Sequence, residues 1–107
     1  MTILSVHFIY LDRCVLDNPQ WTHLTRFLHP GTRQQSGDAL VIGSSLNLNF
    51  HPYLYIRAVD WVHTGSRVVL LRHDLVASIL EVATHTSQFG FVDLRDARER
   101  LAGQEAP

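Results

Sequence analysis

The sequence contains no lysine, a single cysteine and no long hydrophobic run, and each of these absences argues against a class of protein. All nine basic residues are arginines scattered along the chain, and the formal net charge is −1, which does not favour nucleic acid or an anionic membrane as a partner. A lone cysteine, Cys14, cannot form an internal disulfide, so we expect the cytoplasm. The longest apolar stretch, Ile3 to Leu11, is broken by Ser5 and His7 and is far shorter than the ~20 residues of a membrane-spanning helix.

Glycine and proline are also few, at six and four residues, and neither a repeat nor a low-complexity segment interrupts the chain. Hydrophobic residues make up 46% and charged residues 18% of the sequence, which is typical of a folded globular protein. A length of 107 residues suits one domain. We predict a single α+β domain over residues 1–103, followed by a frayed tail at residues 104–107.

Periodicity and turn-forming residues divide the chain into elements in the order β-α-β-β-β-α-β-α. Asn18 before Pro19 is typical of a helix start, and Asp74 is a second candidate cap, before a helical stripe of Leu75, Ile79, Val82 and Ala83. A third helix is predicted from Asp93 to Ala102. The first predicted strands are Thr2 to Leu11 and Ala39 to Gly43, followed by a turn at Gly43-Ser44-Ser45. The next strand runs from Leu46 to Phe50 and resumes from Tyr53 to Val62 after a bulge or edge at Pro52. The last predicted strands are Arg67 to Arg72 and Phe89 to Leu94.

This order predicts the α+β fold class, with a largely antiparallel sheet of four to five strands and two to three helices packed on one face. A ferredoxin-like variant with one extra strand is the specific arrangement that the order suggests.

The seven histidines and Cys14 are the residues that could carry chemistry, but their spacing favours neither a metal site nor catalysis. Zinc ligands usually occur in pairs two to five residues apart, and no two histidines are that close. His73-Asp74 resembles a metal-binding dipeptide, yet Asp74 is better explained as a helix cap. Arg13 beside Cys14 could lower the pKa of the thiol, but no motif places a base nearby. We therefore predict no catalytic residue, no metal ligand and no cofactor.

The most informative segment is the predicted strand from Tyr53 to Val62. Tyr53, Tyr55, Arg57 and Trp61 share one face of this strand, and His51 and His63 flank it. Aromatic rings with an arginine offer flat area and a polar group, which protein interfaces and base-stacking surfaces both use. The alternative is that a helix covers this face and the rings belong to the core.

Three functions follow, in this order of preference. The first is a non-enzymatic protein–protein interaction or assembly domain, as a homo-oligomer or as a subunit of a larger complex, that uses the Tyr53, Tyr55, Arg57 and Trp61 face. The second is a single-stranded nucleic-acid binder using the same face, which the net charge disfavours. The third is a small enzyme dependent on Cys14 or the histidines, which the missing motifs disfavour. The sequence indicates no small-molecule ligand.

Overall fold

The computed structural model describes residues 5–31, 39–63, 65–82, 88–89 and 92–103, and it confirms the α+β fold class. Its main feature is a five-stranded sheet in the order β4-β3-β2-β1-β5, in which every neighbouring pair is antiparallel. The strands are β1 (Val6–Leu11), β2 (Ala39–Phe50), β3 (Tyr53–Val59), β4 (Ser66–Arg72) and β5 (Val76–Val82).

Short helices and a small hairpin complete the domain. One α-helical turn, α1 (Cys14–Asp17), leads into the 3-10 helix η1 (Pro19–Phe27), and the short 3-10 helix η2 (His73–Leu75) joins β4 to β5. Strands β6 (Gln88–Phe89) and β7 (Val92–Asp93) form a separate two-stranded sheet before the terminal helix α2 (Leu94–Gly103). Among the residues that the structure describes, no helix is long and apolar enough to cross a membrane.

Strand β2 bends the sheet, because its first half pairs with β1 and its second half pairs with β3. Its register with β3 shifts on both sides of Asn47, and bulges of this kind bend a strand. Two backbone hydrogen bonds tie η2 to the end of β1 and to the turn after β2: Asp12 N donates to Leu75 O (2.7 Å), and His73 N donates to Pro52 O (2.9 Å). The sheet therefore curls until its outer strands, β4 and β5, are joined by three residues.

Two clusters of buried side chains lie on opposite faces of the sheet, because alternate residues of a strand point to opposite sides. On the inner face, Ile9 packs in one cluster with Leu24 of η1. On the outer face, Phe8 and Ile42 pack with Leu101 of α2. The helices are therefore divided between the two faces rather than grouped on one, and the antiparallel strand order is not the ferredoxin-like arrangement.

The predicted second helix is wrong, since Val76–Val82 forms strand β5. The spacing of Leu75, Ile79 and Val82 fits a helix, but Val76, Ile79 and Val82 are β-branched and suit a strand equally well. Pairing with β1 decides between the two, because it satisfies the backbone of both strands. Asp74 consequently lies within η2, which has no side-chain cap.

The other helices are close to the prediction. Asn18 caps η1 as expected, since its Oδ1 accepts a hydrogen bond from Gln20 N (3.0 Å), although the segment is a 3-10 helix that ends at Phe27. The terminal helix is confirmed, but the strand predicted at Phe89 to Leu94 is replaced by β6 and β7. The turn predicted at Gly43-Ser44-Ser45 is wrong, because β2 continues through it from Ala39 to Phe50 and pairs with β1 on one side and β3 on the other. The predicted loop from Thr32 to Asp38 and the tail at residues 104–107 lie outside the described residues, and the single-domain assignment stays a prediction.

Candidate functional site

The predicted interaction face lies on the outer side of the three-stranded meander β2-β3-β4. Arg57 pairs across the strands with Val68, and Tyr55 pairs with Leu70. Directly opposed residues of antiparallel strands share a face, so these side chains form one surface. We call it the meander face and define it by Phe50, Tyr53, Tyr55, Arg57, Val68 and Leu70.

The meander face is apolar and exposed to an unusual degree. Leu70 is 53% exposed, Phe50 50%, Val68 45% and Tyr53 41%, whereas Tyr55 is half-buried. The rings of Phe50 and Tyr55 stack with their centroids 5.6 Å apart, which makes a flat aromatic platform. Large side chains this exposed and this close together mark an interaction surface more often than scattered surface residues do.

Helix α2 covers only the neighbouring part of the outer face. Val59, at the end of β3, is fully buried in the same cluster as α2. Moving along β3 away from α2, Arg57 and Tyr55 are half-buried and Tyr53 is exposed. The interpretation of these rings as core side chains beneath a helix is therefore wrong for Tyr53.

Trp61 is separated from the other three candidate residues. Strand β3 ends at Val59 rather than at Val62, and Trp61 packs, half-buried, against the cluster of α2. Arg100 of α2 lies over its ring at 5.2 Å, and the His29 ring meets it edge-on at 4.7 Å. The structure thus brings Tyr53, Tyr55 and Arg57 together on one surface and places Trp61 in a packed corner.

A buried carboxylate, Asp60, organises that corner and was not identified from the sequence. Its side chain is fully buried, accepts hydrogen bonds from Arg26 and lies 3.5 Å from Arg67 Nε. Its Oδ1 also accepts from the backbone N–H of Val62 (3.0 Å) and of His63 (2.9 Å). Arg26 and Asp60 are 34 residues apart in the sequence, so no local pattern could have indicated their ion pair.

The contacts of Asp60 also determine its protonation. Burial raises the pKa of this carboxyl, but the hydrogen bonds from Arg26 and from the His63 and Val62 amides outweigh burial, and the pKa lies well below its usual value. Asp60 is therefore ionised across the neutral range. It clamps η1 to the turn between β3 and β4, which is a structural role.

Two histidines that are far apart in sequence meet at the other end of the meander. His51 lies in the turn between β2 and β3, and His73 begins η2. Their Nδ1 atoms are 3.3 Å apart, and their rings meet edge-on with centroids 5.2 Å apart. Sequence spacing could not have found this pair, because 22 residues separate its members.

The environment of Cys14 does not favour a nucleophile. Partial desolvation, a hydrogen bond to Asp12 and the negative charges of Asp12 and Asp74 raise the pKa of the Cys14 thiol. A raised pKa leaves less thiolate at neutral pH, and the thiolate is the reactive form. Among the described residues, no group of three or more histidine, cysteine, aspartate or glutamate side chains could hold a metal ion.

One groove lies where the curled sheet nearly closes, between the end of β2 and β5. Its volume is about 300 Å³, and its lining is formed by Leu48, Leu54, His73, Val76 and Ile79. The walls are mostly aliphatic, and His73 is their one titratable group. A groove of this kind offers little to orient a polar substrate.

Comparison with known proteins identifies no relative, since no protein-family model, no curated protein and no solved structure matches the chain.

Proposed function

We propose that this protein is a non-enzymatic protein–protein interaction domain that associates with a second copy of itself through the meander face. The observation that carries the proposal is the concentration of exposed large hydrophobic side chains, Phe50, Tyr53, Val68 and Leu70, on one uncovered sheet face. Burying them against a partner removes apolar area from water, which is the main driving force of association. We propose the cytoplasm as its location, as the single cysteine suggests.

The low charge of the meander face supports a second copy as the partner. Within the meander face only Arg57 is charged, and Arg72 at the rim already binds Asp74 (3.0 Å). A two-fold contact therefore brings few like charges together, and it can place Arg57 of one copy over the tyrosine rings of the other.

The same charges argue against single-stranded nucleic acid. A strand of nucleic acid needs several cations along the path of its phosphates. The face supplies one arginine that no described carboxylate neutralises, and the protein carries a net charge of −1. The stacked Phe50 and Tyr55 rings could support a base, but the electrostatic attraction that nucleic acid requires is weak.

The area of the face sets the expected affinity. Stable interfaces bury ~800 Å² on each partner, which is more than six side chains provide. We therefore expect dissociation constants in the micromolar range (about −8 kcal/mol at 1 μM), so the protein dimerises only when it is concentrated.

Sedimentation equilibrium over a range of concentrations tests the proposal. We expect the wild type to form a dimer and Leu70→Glu to stay monomeric, because a charge at the centre of the face would be buried without a partner. Leu80→Glu is the matched control, since Leu80 is also exposed but lies on β5 at the opposite edge of the sheet. Equal dimerisation of the wild type and Leu70→Glu would refute the interface. Salt-sensitive binding of an oligonucleotide that Tyr55→Ala abolishes would favour the nucleic-acid alternative.

A further inference from the structure

The His51 and His73 pair has the geometry of half a metal site. The two Nδ1 atoms are 3.3 Å apart. In a tetrahedral zinc site with Zn–N bonds of about 2.0–2.1 Å, two ligand nitrogens lie about 3.3–3.4 Å apart. The observed spacing therefore matches that of two adjacent ligands of one zinc ion.

The backbone holds both histidines in place. His73 N donates a hydrogen bond to Pro52 O (2.9 Å), and Pro52 directly follows His51, so the turn and η2 are bound to each other. His51 is exposed and His73 half-buried, so a metal ion reaches the pair from solvent. An accessible pair of imidazoles is suited to zinc, copper and nickel, and it is a poor site for magnesium or calcium, which prefer oxygen.

A single chain does not complete the site. Tetrahedral zinc needs four ligands, and no third histidine, cysteine, aspartate or glutamate joins this pair among the described residues. The pair borders the meander face, because His51 lies in the turn between Phe50 and Tyr53 and His73 directly follows Arg72 at the end of β4. A two-fold axis at this rim brings two such pairs together.

We propose that two copies of this protein bind one zinc ion through the Nδ1 atoms of His51 and His73 from each copy. The inference rests on the proposed self-association, because the second pair of ligands comes from the partner across the rim of the meander face. Zinc then locks the dimer that the apolar side chains form weakly.

The surroundings of His73 set the expected strength of binding. When Nδ1 binds the metal, the ring proton is on Nε2, and Nε2 of His73 is buried without a hydrogen-bond partner among the described residues. Zinc-bound histidines usually donate this proton to an acceptor, and losing that contact weakens a site about 10–100-fold. We therefore expect micromolar rather than nanomolar zinc affinity.

The experiment measures metal binding and mass separately, on the full chain. Zinc chloride titrated calorimetrically should bind with a stoichiometry of one ion per two chains, and magnesium chloride should give no heat. In sedimentation, zinc should tighten dimerisation at least about tenfold relative to the protein in EDTA, in line with the gain from completed coordination.

Variants distinguish the zinc site from the apolar interface. His51→Ala and His73→Ala should dimerise like the wild type in EDTA and should not respond to zinc, whereas His23→Ala, at an exposed position on η1, should respond fully. Circular dichroism checks that each variant is folded, and His51→Gln gives a second test at the exposed ligand.

One zinc ion per chain with unchanged mass, or a full zinc response in both histidine variants, would overturn the proposal. A wild type that is monomeric in EDTA but dimeric with zinc at the proposed stoichiometry would uphold the zinc site and refute the apolar interface.

Discussion

Strands β1 and β3 both present aromatic and aliphatic side chains on the outer face of the sheet, but along β3 only the end at Val59 is buried in the cluster of α2. Phe8 is buried against the cluster of α2, whereas Tyr53 is 41% exposed. Helix α2 has ten residues, about 15 Å of length, whereas the twelve residues of β2 extend over about 40 Å. The helix is too short to cover both halves, so the second half is not covered by it.

The first prediction compares the two halves directly. Ile42 is fully buried beneath α2 and Leu70 is 53% exposed on the meander face. Ile42→Ala should lower the free energy of unfolding by about 3 kcal/mol, because it removes buried methyl groups and leaves a cavity. Leu70→Ala should lower it by less than about 0.5 kcal/mol in the dilute monomer. Urea denaturation measures both, and similar losses would mean that Leu70 is part of the core.

The second prediction concerns the clamp at the end of the covered half. Asp60→Ala should lower the free energy of unfolding by about 2 kcal/mol, since it leaves Arg26 without its buried partner. The pKa of Asp60 is lower in the folded than in the unfolded state, so its contribution is full above pH ~4 and is lost as the pH falls below that value.

Urea denaturation of both proteins between about pH 5 and pH 3 tests the linkage. The wild type should lose stability more steeply than Asp60→Ala over this range. Parallel curves would show that other carboxylates cause the acid sensitivity.

The third prediction concerns Gly43, where β2 passes from one half of the sheet to the other. A Cβ atom at this position would lie 2.5 Å from the carbonyl oxygen of Arg57 and 2.7 Å from Ile56 Cγ1. Gly43→Ala should therefore destabilise the protein by about 1–2 kcal/mol, because β2 and β3 must move apart. Ser44→Ala is the control: Ser44 is buried, its hydroxyl has no partner among the described residues, and its loss should be nearly neutral. Thermal unfolding compares the two, and an unchanged midpoint for Gly43→Ala would show that the strands tolerate the methyl group.

The smallest expected effect concerns His29, beside Trp61 at the covered end. Burial lowers the pKa of His29, and attraction to Asp96 only partly opposes this shift. The unfolded state therefore binds more protons below pH ~6.5, and stability falls as the pH drops. We expect the wild type to be less stable at pH 5 than at pH 7.5 by less than about 1 kcal/mol. Thermal unfolding at fixed ionic strength should show a smaller difference for His29→Gln; an equal difference would assign the effect to other histidines.

Local sequence patterns predicted the elements that depend on local interactions. The terminal helix was predicted within one residue of its observed bounds, and inside it Arg100 Nε donates to Asp96 Oδ2 at 3.1 Å, a contact between residues four apart. Alternation identified β1, β3 and β4 within a few residues. The prediction for Val76–Val82 was wrong, because its residues satisfy both the helical and the strand pattern. Only pairing with β1 distinguishes the two structures.

The candidate surface was predicted in part. Tyr53, Tyr55 and Arg57 were placed on one face by the two-residue repeat of a strand, and the structure keeps them there. Trp61 was assigned to the same face only because the strand was expected to continue to Val62. The bend after Val59, where the backbone amides of Val62 and His63 bind Asp60, redirects the chain.

The sequence by itself determined the α+β class and the aromatic face of β3, because these follow from periodicities of a few residues. Only the tertiary structure decided which half of the sheet is covered, that Asp60 meets Arg26 across 34 residues and that His51 meets His73 across 22. Contacts at such separations depend on how the sheet curls and where each strand ends. No local pattern of side chains encodes those distances, since they arise from the packing of the whole chain.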